Sequence, residues 1–518
     1  MPSATQTPIP LPPKLMRRFY EAVKFEEALS KACEQDPISL GKTSTDPPVD
    51  PSDDAEKAYK SYVNKLAHVC DTKRGGSTVT GIAILQDVDG VVYVIGSNDR
   101  TSTDLTELSK FVRSLFDLVQ NPFTRIFHHI IEHNQPRIRT YLNCLTKEIE
   151  ICLESMKDQA RRTVNQEHLK ESLIELQNCV AHAQRAIHEQ IEERINACAD
   201  VIMYIHDIQT KGHGEDMFLA SREATINPSK PWRQLRHSMA RLKAYHVSTH
   251  SIISAHRCWP QLFDGARIIA VPSSTSYPNP LKKNKMATAH DMLGRMVPPE
   301  EVELRRADAQ TMQRFGLDKI LLEACGQKTF TPLVHGEVLV HDFVRAQLLE
   351  DENLTYWNNW RYVGSSKPTC RLCAYYFSQI TDVMVRESHG NLYAKWRAPD
   401  VHDAGGARQR EKILNSIVTL IRQDALRTLA SKLPRGKPDD SSSFPTVELY
   451  FTQKAHRAMA EDGVASIPSG HPLIGAVGIR HAASDDLFLA DMLSRQSLEQ
   501  SQSQDDDDSD EEDGGVML

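Results

Sequence analysis

Apolar positions along this chain follow a helical period first, then a strand period, then a long helical stretch, then an alternation of the two. Residues 14–33, KLMRRFYEAVKFEEALSKAC, have helical spacing, and so do residues 55–70, with Tyr59, Tyr62, Leu66 and Val69 on one face. Between them TSTDPPVDPSDD (43–54) reads as a linker from its Pro and Asp content. TVTGIAILQD (78–87) and VVYVIGSN (91–98) are β-branched and apolar, and the Asp89-Gly90 pair between them is a hairpin signal. From about 104 to 256 the strand signal nearly vanishes, and the pattern predicts a helical bundle with charged outer faces. Its last stretch, EHLKESLIEL through IMYIHDI, would run for about eleven turns if unbroken. Residues 272–289 read as a loop and 299–325 as helix again.

From 326 onward the two periods alternate. TFTPLV, GEVLVHDFVRAQLLE, WRYVGSS, CRLCAYYFSQI and DVMVRESHG read in turn as strand and helix, an α/β pattern. Residues 407–433 form a good amphipathic helix, and TVELYF (446–451) reads as a further strand. The expected organisation is a disordered start, helix and linker over 1–54, a helix and β-hairpin over 55–98, a helical insertion or accessory domain over 99–325, an α/β unit over 326–455, and a tail over 456–518 that ends acidic and disordered.

Composition changes this picture little. The chain has 518 residues, enough for several domains' worth of core. The net charge is −8, and the tail DDDDSDEED (505–513) alone holds eight acidic residues, so the rest sums to about zero. A broadly basic polynucleotide-binding surface is therefore excluded, and only a local patch is left open. There is no basic start followed by an apolar stretch, and no run of about 20 apolar residues. The expectation is a cytoplasmic or nuclear protein, not membrane-bound, with reduced thiols.

Ten cysteines are spread along the chain, and only Cys370 and Cys373 are closely paired. Upstream lies PLVHGEVLVHDF (332–343), with His335-Gly336-Glu337 at a strand end opening a helix. A catalytic zinc takes three protein ligands and leaves one position open. His335, Cys370 and Cys373 supply three. Cysteines at i and i+3 in a first helical turn point the same way, and a helix N-terminus favours thiolate. Glu337 would lie beside the metal without binding it, the place for a proton shuttle. His-x-Glu with Pro-Cys-x-x-Cys is the signature of zinc deaminases, which hydrolyse the amino group from C4 of cytosine or C6 of adenine.

The segment 332–397 resembles the catalytic core of the cytidine deaminase-like superfamily. It is most similar to a divergent branch expanded in fungi and related to bacterial toxin-type nucleic acid deaminases. HGEVLVHDF, YVGSSKPTCRLC and SHGNLYAKW carry the resemblance. The 55–70 helix and the 78–98 hairpin resemble the first helix and first two strands of that fold. The resemblance implies a three-layer α/β/α core, split by the helical region, with Zn2+ as cofactor and a nucleobase-containing substrate (nucleoside, nucleotide, RNA or single-stranded DNA). It also implies a sugar contact from an asparagine after the second strand, a position that Asn98 matches. The chain departs from the pattern at Thr369, which stands between Pro368 and Cys370.

Other readings remain open. Asn98 could equally be a hairpin-exit turn residue. A closed structural zinc site would need a fourth ligand, for which Cys325, His341 and His389 are candidates; His341 should face away, and His389 either lines the pocket or caps a turn with Gly390. Tyr393 and Trp396 read as core rather than as base-stacking platforms. The rival function is a catalytically inactive interaction protein, stapled by zinc, whose helical region recruits a protein partner.

Overall fold

The computed structural model describes residues 7–33, 54–156, 164–210, 229–281, 288–326 and 328–436. The predicted strand at 446–451, nearly all of the 43–54 linker and the acidic tail lie outside the described residues. All of the described residues belong to one compact unit.

Helices α1 (Pro13–Cys33) and α2 (Ala55–Cys70) precede strands β1 (Thr80–Asp87) and β2 (Gly90–Ser97). The Asp54 carboxylate caps α2 by accepting from the Glu56 N–H at 2.8 Å. The helical region follows: α3 (Ser102–Leu118), α4 (Phe123–His133), α5 (Gln135–Ser155), α6 (Val164–Arg185), α7 (Ile191–Thr210) and α8 (Ser229–Cys258). Strand β3 (Arg267–Val271) leads to α9 (Ala289–Met296), α10 (Pro299–Met312) and α11 (Leu317–Gly326). The last part holds α12 (Gly336–Glu350), β4 (Thr355–Tyr356), β5 (Tyr362–Ser365), α13 (Arg371–Phe377), β6 (Met384–Val385) and α14 (Ala404–Ser431).

The strands form one mixed sheet in the order β3-β2-β1-β5-β6, with β4 also against β1. β1 runs antiparallel to β2, from Thr80 opposite Ser97 to Asp87 opposite Gly90, and antiparallel to β5. β3 is parallel to β2, and β6 to β5. The hairpin alternation sorts its side chains between two cores, because successive strand residues point to opposite faces. Ile82, Ile84, Tyr93 and Ile95 join α2 and the helical region. Ala83, Leu85, Val92 and Val94 join α1, α12 and α14. The sheet is thus covered by helices on both faces.

The structure corrects the sequence pattern in four places. The 167–208 helix breaks at Ala186–Gln190, so that α6 and α7 bury their apolar stripes in the same core. RIIAV forms β3, a strand between regions read as helix and loop. TFTPLV makes only an isolated bridge, from Leu333 to Trp396. The Pro-rich start is held from residue 7 onward: the Ile9 N–H donates to the Val401 carbonyl at 2.8 Å, and Arg410 donates to the Ile9 carbonyl at 2.7 Å.

Candidate metal centre

His335 is the N-cap residue of α12, with extended backbone, and Glu337 lies in the first turn. This helix end sits on a notch in the sheet. Gly81 and Gly96 face one another across the hairpin. A Cβ at Gly81 would come within 2.8 Å of the Gly336 carbonyl and the Glu337 nitrogen, and one at Gly336 within 2.9 Å of the Gly96 oxygen. Three glycines therefore let the helix backbone touch the strands, which fixes where His335 and Glu337 point. Neither strand glycine was picked out from the sequence, although glycine inside an otherwise β-branched strand is the signal for such an approach.

Cys370 caps α13, its sulfur accepting from the Cys373 N–H at 3.4 Å, and Cys373 follows in the first turn. The two sulfurs lie 3.5 and 3.3 Å from His335 Nδ1. The Lys395 backbone also interacts with the imidazole and favours its charged form. Such an outer partner fixes the tautomer of a metal-binding histidine. His335, Cys370 and Cys373 are all buried, with their ligand atoms within 4.8 Å of one another. Among the described residues no fourth Cys, His, Asp or Glu joins that group. His341 instead packs edge-on against Tyr376 and Phe377, and burial pulls its pKa down to about 4.

The three groups are electrostatically coupled. Burial pushes the Cys370 thiol up, but the hydrogen bond from Cys373 and the charge of His335 outweigh it and hold the thiol well below its ordinary range. Cys373 is pushed up by burial and by its neighbour's negative charge. His335 is raised: burial opposes the charge, and Cys370 overrides it. Glu337 is buried and raised chiefly by desolvation. Its carboxyl reaches Cys373, while Oε2 has no hydrogen-bond partner. A buried carboxylate oxygen left open beside two thiols and an imidazole fits a site completed by a cation and a polar ligand. Soft sulfur with imidazole suits zinc.

The Asn98 amide lies against this helix end. Its Oδ1 accepts from the Gly336 N–H at 2.6 Å, and its Nδ2 donates to the Gly76 carbonyl at 2.7 Å. His389 is buried on the loop after β6; its Nδ1 accepts from the Asn391 N–H at 2.9 Å, and its own N–H donates to the Thr369 carbonyl at 3.3 Å. Thr369, the residue inserted before Cys370, ties the cysteine loop to that segment. Its N–H donates to the Glu387 carbonyl at 3.2 Å and its hydroxyl to the Arg386 carbonyl at 2.9 Å. Trp396 is fully buried against Phe19 and Tyr376, whereas Tyr393 is 40% exposed and edge-on to His389.

A mixed sheet and a buried His–Cys–Cys group at two adjoining helix starts give an α/β fold with a candidate metal site. Residues 334–400 match the family described as OTT_1508_deam-like deaminase, a segment that contains all three candidate ligand residues and Glu337. No curated protein and no solved structure matches the chain. Among the described residues no helix is long and apolar enough to cross a membrane.

Proposed function

We propose that this chain is a zinc-dependent hydrolytic deaminase acting on a nucleobase-containing substrate, with the helices on either face of the sheet forming a three-layer deaminase-like core. The observation that carries the reading is the meeting of His335, Cys370 and Cys373 with the unpartnered Oε2 of Glu337 at one helix start. His335 through Nδ1 and the two cysteines through Sγ would hold the ion. Zinc there would supply Lewis-acid activation of water. Glu337 takes one proton from the attacking water and passes it to the ring nitrogen; it then takes the proton of the newly added hydroxyl and gives it to the amino group, so that the C–N bond breaks, ammonia leaves and a carbonyl remains. Burial suits Glu337 to the first transfer, because desolvation makes its carboxylate a stronger base towards the attacking water. Asn98 and His389, on loops that border the ligand residues, are the proposed substrate contacts.

The test is Glu337→Gln in the full chain. The variant should keep stoichiometric zinc and lose ammonia release by about 10²–10⁴-fold, the usual worth of a general acid–base group. The wild type is assayed on nucleosides, nucleotides, single-stranded DNA and RNA, with products identified by mass. Loss of zinc in the variant, or undiminished ammonia release, would sink the shuttle role.

A further inference from the structure

We propose that Arg371 is the positioning residue of the metal centre: its guanidinium carries the packing of helices α1 and α14 to the ligand Cys370 and to the loop bearing His389. The inference rests on the metal-centre reading and goes beyond it, because α1 lies more than 300 residues away in sequence.

Arg371 follows Cys370 directly and is 3% exposed. Its donors are distributed among four separate parts of the chain. Nε donates to the Gly390 carbonyl at 2.7 Å, one residue past His389. Nη1 donates to Glu26 Oε1 on α1 at 2.6 Å and faces Asp424 Oδ2 on α14 at 3.5 Å. Nη2 donates to the Arg435 carbonyl at 3.0 Å, and the Arg371 backbone N–H to the Asn391 carbonyl at 3.0 Å. The carboxylates are themselves held: Glu26 accepts from Thr428, and Asp424 from the Tyr375 hydroxyl and from Arg435.

Burying such charges is costly, and a hydrophobic replacement of similar volume often serves stability as well. What a hydrophobic side chain cannot do is orient the Gly390 and Arg435 carbonyls and two carboxylates from one plane. A planar fork with fixed donor directions does this, and a lysine ammonium does not. The cluster thus sets the angle at which the first turn of α13 presents Cys370 and Cys373, and the distance of the His389 loop from them. Partners one step out from a metal ligand commonly change affinity 10–100-fold when removed.

The experiment compares the full-length wild type with Arg371→Lys and Glu26→Gln. Zinc affinity is measured by competition with a chromophoric chelator, the Co2+-substituted absorption spectrum is recorded, and thermal midpoints are taken with and without zinc. Arg371→Lys is expected to weaken zinc about 10–100-fold and alter the Co2+ spectrum, with Glu26→Gln shifting both in the same direction by less. Asp424→Asn, which removes the carboxylate charge that faces Arg371 at the longer distance and also holds Tyr375 and Arg435, covers the case in which Arg371→Lys does not fold, and should weaken zinc measurably. Lower thermal midpoints with zinc affinity and Co2+ spectra unchanged would mean that Arg371 is merely structural and would overturn the proposal. Zinc binding that depends on Arg371 in a protein that releases no ammonia would sink the deaminase reading and leave this one standing. A wild type without zinc affinity would overturn both.

Discussion

Asn98 shows how one side chain joins the sheet to the candidate metal centre. Both ends of its amide are engaged, one by the start of the helix that carries His335 and Glu337, the other by the loop before β1. Asn98→Ala would leave the buried Gly336 N–H without an acceptor, at a cost of about 1–3 kcal/mol. The expected outcome is a lower thermal midpoint together with weaker activity; unchanged stability would show that the two bonds contribute nothing and that any effect on turnover comes from substrate contact alone. At this scale much was legible. A metal ligand set has a fixed chemistry and nearly fixed local spacing, so the candidate group of His335, Cys370 and Cys373 could be picked out from the chain. The partners of Arg371 could not, because Glu26 and Asp424 reach it only after the chain has folded back on itself.

Elements were legible where the pattern is local. The hairpin appears within a residue or two of its expected bounds, because alternation and a Gly90 with φ of 122° at the turn specify it without outside help. β3 was missed because a five-residue run beside long helices carries little periodic signal, and its pairing with β2 is parallel and distant in sequence. The break between α6 and α7 was likewise invisible, since no Gly or Pro marks it; burial of both apolar stripes decides it. The glycine notch gives a sharper test of element placement. Gly81→Ala forces a methyl into the α12 backbone, and overpacking of this kind costs about 1–3 kcal/mol and moves the helix start. Gly76→Ala meets nothing within 4 Å and has no positive φ, so its stability should stay within about 0.5 kcal/mol of the wild type. Thermal midpoints of the two variants measure the contrast; equal midpoints would mean that α12 shifts freely on the sheet and that the notch does not set Glu337.

Across the whole molecule, the helical region is bound to the sheet by more than apolar burial. Arg137 on α5 and Asp71 just after α2 are both buried, with Arg137 Nη1 3.0 Å from the carboxylate and 2.6 Å from the Asp71 carbonyl. Burial works against the guanidinium charge, but Asp71 outweighs it and holds the Arg137 pKa above its ordinary value. The same carboxylate accepts from Thr78 at 2.7 Å and from Ser366 at 3.3 Å, and Ser366 in turn accepts from the Thr80 N–H on β1. Ser366 begins the loop that ends at Cys370. The pair therefore links the helical region, the hairpin and the cysteine loop through one carboxylate. Removing one partner of a buried pair strands the other, at a cost of about 3–5 kcal/mol, whereas removing both is much milder. Arg137→Met should lower the unfolding midpoint strongly, and adding Asp71→Asn should recover a large part of the loss. Helical circular dichroism and tryptophan fluorescence should report the same midpoint in each protein, because the apolar core on that face runs without a break from the hairpin through α2 to α8. If helix signal were lost first while the tryptophan signal held, the helical region would be a separable accessory, and the continuity of that core would contribute little to holding the candidate metal centre together.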